Sequence, residues 1–357
     1  MRSHSRATKW LVSTAVFAMA LAGCSAADNS AEQSGQSEPS EAGSSVEIGR
    51  GGEEVTIGLT YVPNVQFAPV YVAAADEIFR AAGIGAVIRH HGNDEGLFTA
   101  LASGEEDIVV ASGDEVLQAR AAGLDLVAIG SYYNQYPVAI ISKTSAPVST
   151  LADLKGKSIG VPGEFGSSWF GLLAALEQAG LTVKDVNAIS IAYTQAASLA
   201  SDQVDCIIGF VNSDAVQLRE MGEDITVLPL ADYDVPLVGA TMVTTREWME
   251  AHPDLAEGTV GSIVAGMDRV IANPQHALEI SALWDTSIAE GTPRETAAAL
   301  LAGTIPLWER PDGQASAEQD LETWKKMAPF LAEILDLPLE KMGEDSAVTN
   351  EFAAKTK

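Results

Sequence analysis

The chain has 357 residues, enough to bury a large core and form about two domains or lobes. Its formal net charge is −28, and Arg2, Arg6 and Lys9 are the only charges before Cys24, so the remainder is more acidic still. Phosphate contacts need clustered Lys and Arg, which argues against nucleic acid as a partner and against electrostatic docking on anionic lipid.

The first residues read as a targeting segment. Arg2, Arg6 and Lys9 form a positive region, and Trp10 to Ala20 is an apolar run too short to span a bilayer. It ends in Leu21-Ala22-Gly23-Cys24, small residues at a cleavage point. Residues 25–54 are rich in Ser, Glu, Gly and Ala, hold one Pro and no aromatic, and read as a flexible tether. The chain has only two cysteines, Cys24 and Cys206, so no disulfide framework and no zinc spacing is expected.

Val55-Thr-Ile-Gly-Leu-Thr is the first strand, running into Tyr61-Val-Pro-Asn64. His90-His91 is the only histidine cluster. A strand edge beside Gly92 accounts for it better than a metal pair, because no third ligand follows, and no metal is expected. Leu101-Ala-Ser-Gly-Glu-Glu-Asp107-Ile-Val-Val-Ala then continues to Gln118, Arg120 and Gly123. The pattern returns in Leu199-Ala-Ser-Asp-Gln-Val-Asp205-Cys-Ile-Ile-Gly with Gln217, Arg219 and Gly222, offset by 98 and then 99 residues. Each copy reads as a helix end, a tight turn, a buried strand and a further helix. Upstream of the second copy, Ser158-Ile-Gly-Val leads into Pro162-Gly-Glu-Phe-Gly166, as the first strand leads into Tyr61. Strands alternating with helices predict parallel α/β sheets in two lobes built alike, facing each other across a cleft. The second lobe begins near Pro137 and closes near Pro236, and residues 246–345 read as helices with apolar series through Trp248 to Val270, Ala277 to Ile288 and Leu321 to Leu335.

These features resemble the solute-binding lipoproteins of bacterial ABC importers, with the type II periplasmic-binding-protein fold: two similar α/β lobes around a ligand cleft, and a helical C-terminal region. Leu-Ala-Gly-Cys24 resembles the lipobox whose cysteine is lipidated. More narrowly, residues 55–280 resemble the SsuA/THI5-like (NMT1) group. The resemblance rests on Tyr61-Val-Pro-Asn64-Val-Gln-Phe67-Ala-Pro69-Val-Tyr71, on Leu151-Ala-Asp-Leu-Lys-Gly-Lys-Ser-Ile-Gly160, on Gly163-Glu-Phe-Gly166 and on Asp205-Cys-Ile-Ile-Gly209. Its members bind thiamine-precursor pyrimidines, sulfonates or riboflavin. Val62-Pro-Asn-Val-Gln-Phe-Ala-Pro, Ala111-Ser-Gly and Tyr193-Thr-Gln195 resemble the riboflavin branch most.

The resemblance implies a signal peptide over 1–23, a tether over 24–54, lobe one over 55–138 and 239–345, and lobe two over 139–238. It implies a monomer, lipid-anchored at Cys24 on the extracytoplasmic face of the cell membrane, that delivers a small heterocyclic ligand to ABC permease subunits without cofactor. The same group includes pyrimidine synthases that consume a histidine of their own. Phe67 stands at that position, and their Cys-rich motif is missing here, so the enzyme reading is disfavoured.

The expected cleft loops carry Tyr61, Asn64, Phe67, Ser112, Tyr132, Glu164, Phe165, Trp169, Tyr193, Gln195 and Asn212 as ligand-binding candidates, with no Lys or Arg among them. Aromatic faces stack planar rings, and Asn, Gln and carboxylate oxygens pair with ring N–H and amino groups. That predicts a neutral or amine-bearing heterocycle; a sulfonate would need donors and positive charge. Glu164 is expected to touch the ligand, because Ser167 and Ser168 are available to cap the next helix. Trp169 sits in that helix's first turn, where cleft and core are equally open to it. Asp114 and Glu115 are expected to cap their helix. Gly166-Ser-Ser-Trp-Phe breaks the G-x-S-x-G pattern and Gly163-Glu-Phe-Gly is no phosphate loop, so no catalytic residue is expected.

Overall fold

A computed structural model of the protein describes residues 45–47, 51–91, 96–343 and 346–353. The expected signal segment and Cys24 lie outside the described residues.

Eleven strands form two sheets among the described residues. In chain order they are β1 (Ser45–Glu47), β2 (Glu53–Leu59), β3 (Ile84–His90), β4 (Ile108–Ser112), β5 (Leu126–Ser131), β6 (Val138–Lys143), β7 (Ser158–Val161), β8 (Asn187–Ser190), β9 (Cys206–Phe210), β10 (Ile225–Pro229) and β11 (Ala240–Thr245). The first sheet has the order β1-β3-β2-β4-β11-β5 and the second β10-β6-β9-β7-β8. Strand β1 falls in the stretch expected to be tether and pairs antiparallel with β3, a backbone pairing that any sequence can make at a sheet edge.

The sheets are mixed, which corrects the expectation of parallel ones. Strands β2, β3 and β4 run parallel, as do β7, β8 and β9. Strands β11 and β6 run antiparallel to their neighbours. The reason is where they come from. A strand that follows a crossover helix starts at the far end of its sheet and ends at the cleft. Strands β6 and β11 arrive from the other lobe across Tyr132–Pro137 and Leu230–Gly239, so they start at the cleft and run the other way.

The 98-residue repeat is structural. In both copies a short helix (Thr99–Ser103, Gln195–Ala200) precedes a buried strand and a second helix (Gly113–Ala121, Asp214–Glu220). The repeated aspartate makes the same bond twice. Asp107 accepts from the backbone of Thr56 at 2.8 Å, and Asp205 from that of Ser158 at 2.7 Å, each tying the turn to the neighbouring strand.

Helices cover the sheets. Pro253–Ala272 packs on Ala68–Ala75 over the first sheet, and Leu321–Leu335 lies in a core that draws on both sheets, with Val109 and Leu126 from one and Ile159 and Ile208 from the other. Gly266 lets the first pair approach: a Cβ there would stand 2.1 Å from the Pro69 carbonyl oxygen. Pro253 divides the predicted series from Trp248 to Val270 into Arg246–Ala251 and Pro253–Ala272. Cys206 is a free thiol, fully buried at the start of β9, and burial pushes its pKa up to about 12. None of the helices among the described residues is long and apolar enough to cross a membrane.

Candidate functional site

The C-terminal ends of β2, β4, β5, β7 and β9 converge where the two interlobe crossings pass, the usual place for a ligand in open α/β sheets. There a cavity of about 340 Å³ is lined from the first sheet by Thr60, Tyr61, Gln66, Phe67, Ser112, Glu115, Tyr132 and Tyr133. Pro162, Phe165, Ser167, Tyr193 and Phe210 line it from the second, and Tyr136, Pro137 and Gly239 from the crossings. A hollow of about 580 Å³ behind the crossings is larger, but charges in its lining are paired: Arg310 with Glu318 at 2.9 Å and Asp234 with its neighbour Lys326 at 2.8 Å.

Six of the residues expected from the sequence line the cavity: Tyr61, Phe67, Ser112, Tyr132, Phe165 and Tyr193. Tyr61, Phe165 and Tyr193 keep half or more of their surface exposed, at 50%, 56% and 79%. Large rings so placed at a cavity mouth offer flat faces to a partner.

Five others lie outside the lining. Asn64 caps the short helix Val65–Phe67, accepting from the Gln66 backbone at 3.0 Å. Asn212 is buried and donates to Thr304 Oγ1 at 3.2 Å, in the helix Gly291–Trp308. Gln195 is buried at the start of its helix. Trp169 packs against the shared core, which answers its open orientation in favour of the core. Glu164 is exposed. The expected serine cap is not made either. Gly166 takes a left-handed conformation (φ 66°) and the helix Gly166–Gln178 starts there, so its N-cap is Phe165, whose ring cannot cap. Ser167 instead donates to Asp114, at 3.1 and 3.2 Å.

Asp114 and Glu115 divide the labour that the sequence assigned to both. Glu115 closes a capping box: one oxygen, Oε2, accepts from Ser112 N at 3.0 Å and Ser112 Oγ at 2.6 Å. Asp114 is fully buried, and burial, with the nearby Glu115 charge, pushes its carboxyl up to about 7. Tyr136 donates to the Ser167 carbonyl at 2.6 Å, and Tyr132 to that of Gln66 at 2.8 Å, so these hydroxyls are committed to the walls. Thr60, Gln66, Tyr136, Ser167 and Phe210 were missed by sequence reasoning. Only Tyr136, beside Pro137 at the lobe crossing, carried a signal that could have found it.

The first cleft loop is braced from behind. His90 is buried, and burial holds its pKa below the ordinary value, so the ring is neutral. Its Nδ1 lies 2.8 Å from the Tyr61 carbonyl and must be the donor there, which leaves Nε2 to accept from the Tyr71 hydroxyl at 3.0 Å. Tyr71 in turn stacks on Trp284 with ring centres 4.8 Å apart. His91 pairs with Glu106 at 2.8 Å. Both histidines therefore serve structure, and no group of three or more metal-binding side chains occurs among the described residues.

Among the described residues, no Lys, Arg or His lines the cavity. The arrangement suits binding of a flat, uncharged or cationic molecule, and offers no activated nucleophile or paired acid and base.

Two α/β lobes with a cavity at their crossings define the periplasmic binding-protein fold. The E. coli periplasmic aliphatic sulphonate binding protein SsuA has it too, with a TM-score of 0.66 at 17% identity over 81% of this chain and 91% of that one. The NMT1/THI5 like family matches residues 64–277, and the chain belongs to it. The riboflavin-binding protein RibY of Chloroflexus aurantiacus is 31% identical over 84% of this chain and 86% of its own length. The 4-amino-5-hydroxymethyl-2-methylpyrimidine phosphate synthase of Uromyces fabae is 23% identical over 62% of this chain and 68% of its own.

Proposed function

We propose that the protein is the extracytoplasmic substrate-binding lipoprotein of an ABC importer. It captures an aromatic N-heterocycle of the riboflavin or hydroxymethylpyrimidine kind and hands it to a permease without transforming it. The observation that carries this is the lining of the cavity, which among the described residues holds exposed aromatic rings, hydroxyls, one carboxylate and no cation. A carboxylate repels a sulfonate, and an anion with no positive charge around it would be poorly held. The likeness to RibY supports the riboflavin side of the class. Against the synthase reading, the family resemblance puts Phe67 where the synthases carry the histidine they consume, and among the described residues no histidine lines the cavity.

The expected result is that riboflavin or hydroxymethylpyrimidine raises the melting temperature and taurine or an alkanesulfonate does not. Ligand at a hundredfold its dissociation constant stabilises by about 2.7 kcal/mol, a shift of several degrees. A shift with taurine alone would sink the charge argument.

Membrane attachment rests on Leu21-Ala22-Gly23-Cys24. Cys24→Ser should move the protein from the membrane fraction to the soluble one after fractionation. Retention in the membrane would rule out the lipid anchor.

A further inference from the structure

Glu115 meets two requirements at once. Its Oε2 is held by Ser112 N and Oγ, so the carboxylate cannot swing. Its Oε1 takes no hydrogen bond from the described residues, and the side chain lines the cavity. The other candidate carboxylates are spent or remote. Asp114 is buried with both oxygens turned to Ser167, and Glu164 is exposed outside the lining.

We propose that Glu115 is the specificity-determining acceptor of the cleft, its Oε1 receiving the ring N–H or amino group of the ligand. The inference rests on the heterocycle-binding reading above and names the atom that would enforce it. A hydrogen bond to a fixed carboxylate is stronger than one to a neutral oxygen, and a site built around it leaves a charge unpaired when the ligand lacks the donor. The ligand class is thereby narrowed to heterocycles that carry at least one N–H. For riboflavin that is the single ring N–H of the isoalloxazine, and for hydroxymethylpyrimidine the exocyclic amine.

The test pairs each parent with the analogue in which that nitrogen is methylated: riboflavin with N3-methylriboflavin, and hydroxymethylpyrimidine with its dimethylamino form. Affinities are measured by calorimetry on wild type, Glu115→Ala and Glu164→Ala. Wild type should prefer the parent by roughly ten- to a hundredfold. Glu115→Ala should bind parent and analogue alike, and Glu164→Ala should keep the wild-type preference. Melting temperature, read separately, reports the lost cap. If Glu115→Ala does not fold, Glu115→Gln retains a cap acceptor and should also lose the preference. A preference that survives in the Glu115 variants, or that vanishes in Glu164→Ala instead, overturns the assignment while leaving the heterocycle reading intact. A wild type that binds neither parent overturns that reading itself.

Discussion

Asp114→Asn should stabilise the protein at pH 8 by about 2–4 kcal/mol, and the gain should disappear near pH 4. The native carboxyl keeps its proton up to about 7, whereas in the unfolded chain it ionises around the ordinary value of 3.8. Between those two values the folded state binds more protons than the unfolded one. Stability therefore falls as pH rises through that window and levels off above it. The cause is burial of the charged form first, and the neighbouring Glu115 second. Asparagine removes the charge and keeps an oxygen for Ser167 Oγ. Urea unfolding of both proteins at several pH values reads this directly. Equal stabilities at pH 8, or a variant weaker at every pH, would show that Asp114 is comfortably ionised in the fold.

Gly266→Ala is expected to cost about 2–3 kcal/mol, seen as a lower urea midpoint. The added Cβ would fall 2.1 Å from the Pro69 carbonyl oxygen, a backbone atom that cannot rotate away. Alanine's better helix propensity, worth about 1 kcal/mol, offsets only part of this. Pro69 stands two residues after Phe67, so helix Ala68–Ala75 cannot retreat without carrying the first cleft loop with it. Ligand affinity should fall together with stability. An unchanged midpoint would mean that the two helices slide apart at little cost.

Much of this architecture is legible in the sequence, and the reasons for the rest are physical. Asp107 and Asp205 announce the repeated unit because, in both lobes, a backbone donor of the neighbouring strand is taken up by a side-chain acceptor at that turn. Leu321–Leu335 is found with its limits because its apolar residues keep helical spacing to the end. The sense of β6 and β11 could not be read, since alternation within a strand says nothing of the side from which the chain arrives. Among site residues, ring-bearing positions at strand ends were the readable ones. Asp114 and Glu115 were not separable: neighbouring helix residues point about 100° apart, and only the packed lobes reveal which carboxylate turns inward and which faces the cavity. Glu164, one residue before its helix's N-cap, had no periodicity to orient it.

The placement of β11 bears on the order in which the protein can assemble. It lies between β4 and β5 in the first sheet, although it follows β5 by more than a hundred residues. Strands β2 to β5 therefore leave synthesis with an open slot in the middle of their sheet, while β6 to β10, an unbroken stretch, already have every partner they need. Loop closure favours the unbroken stretch as the first to fold. Until Thr245 is available, the inner edges of β4 and β5 are unpaired strands of mostly buried apolar residues, the segment of the nascent chain most in need of a chaperone.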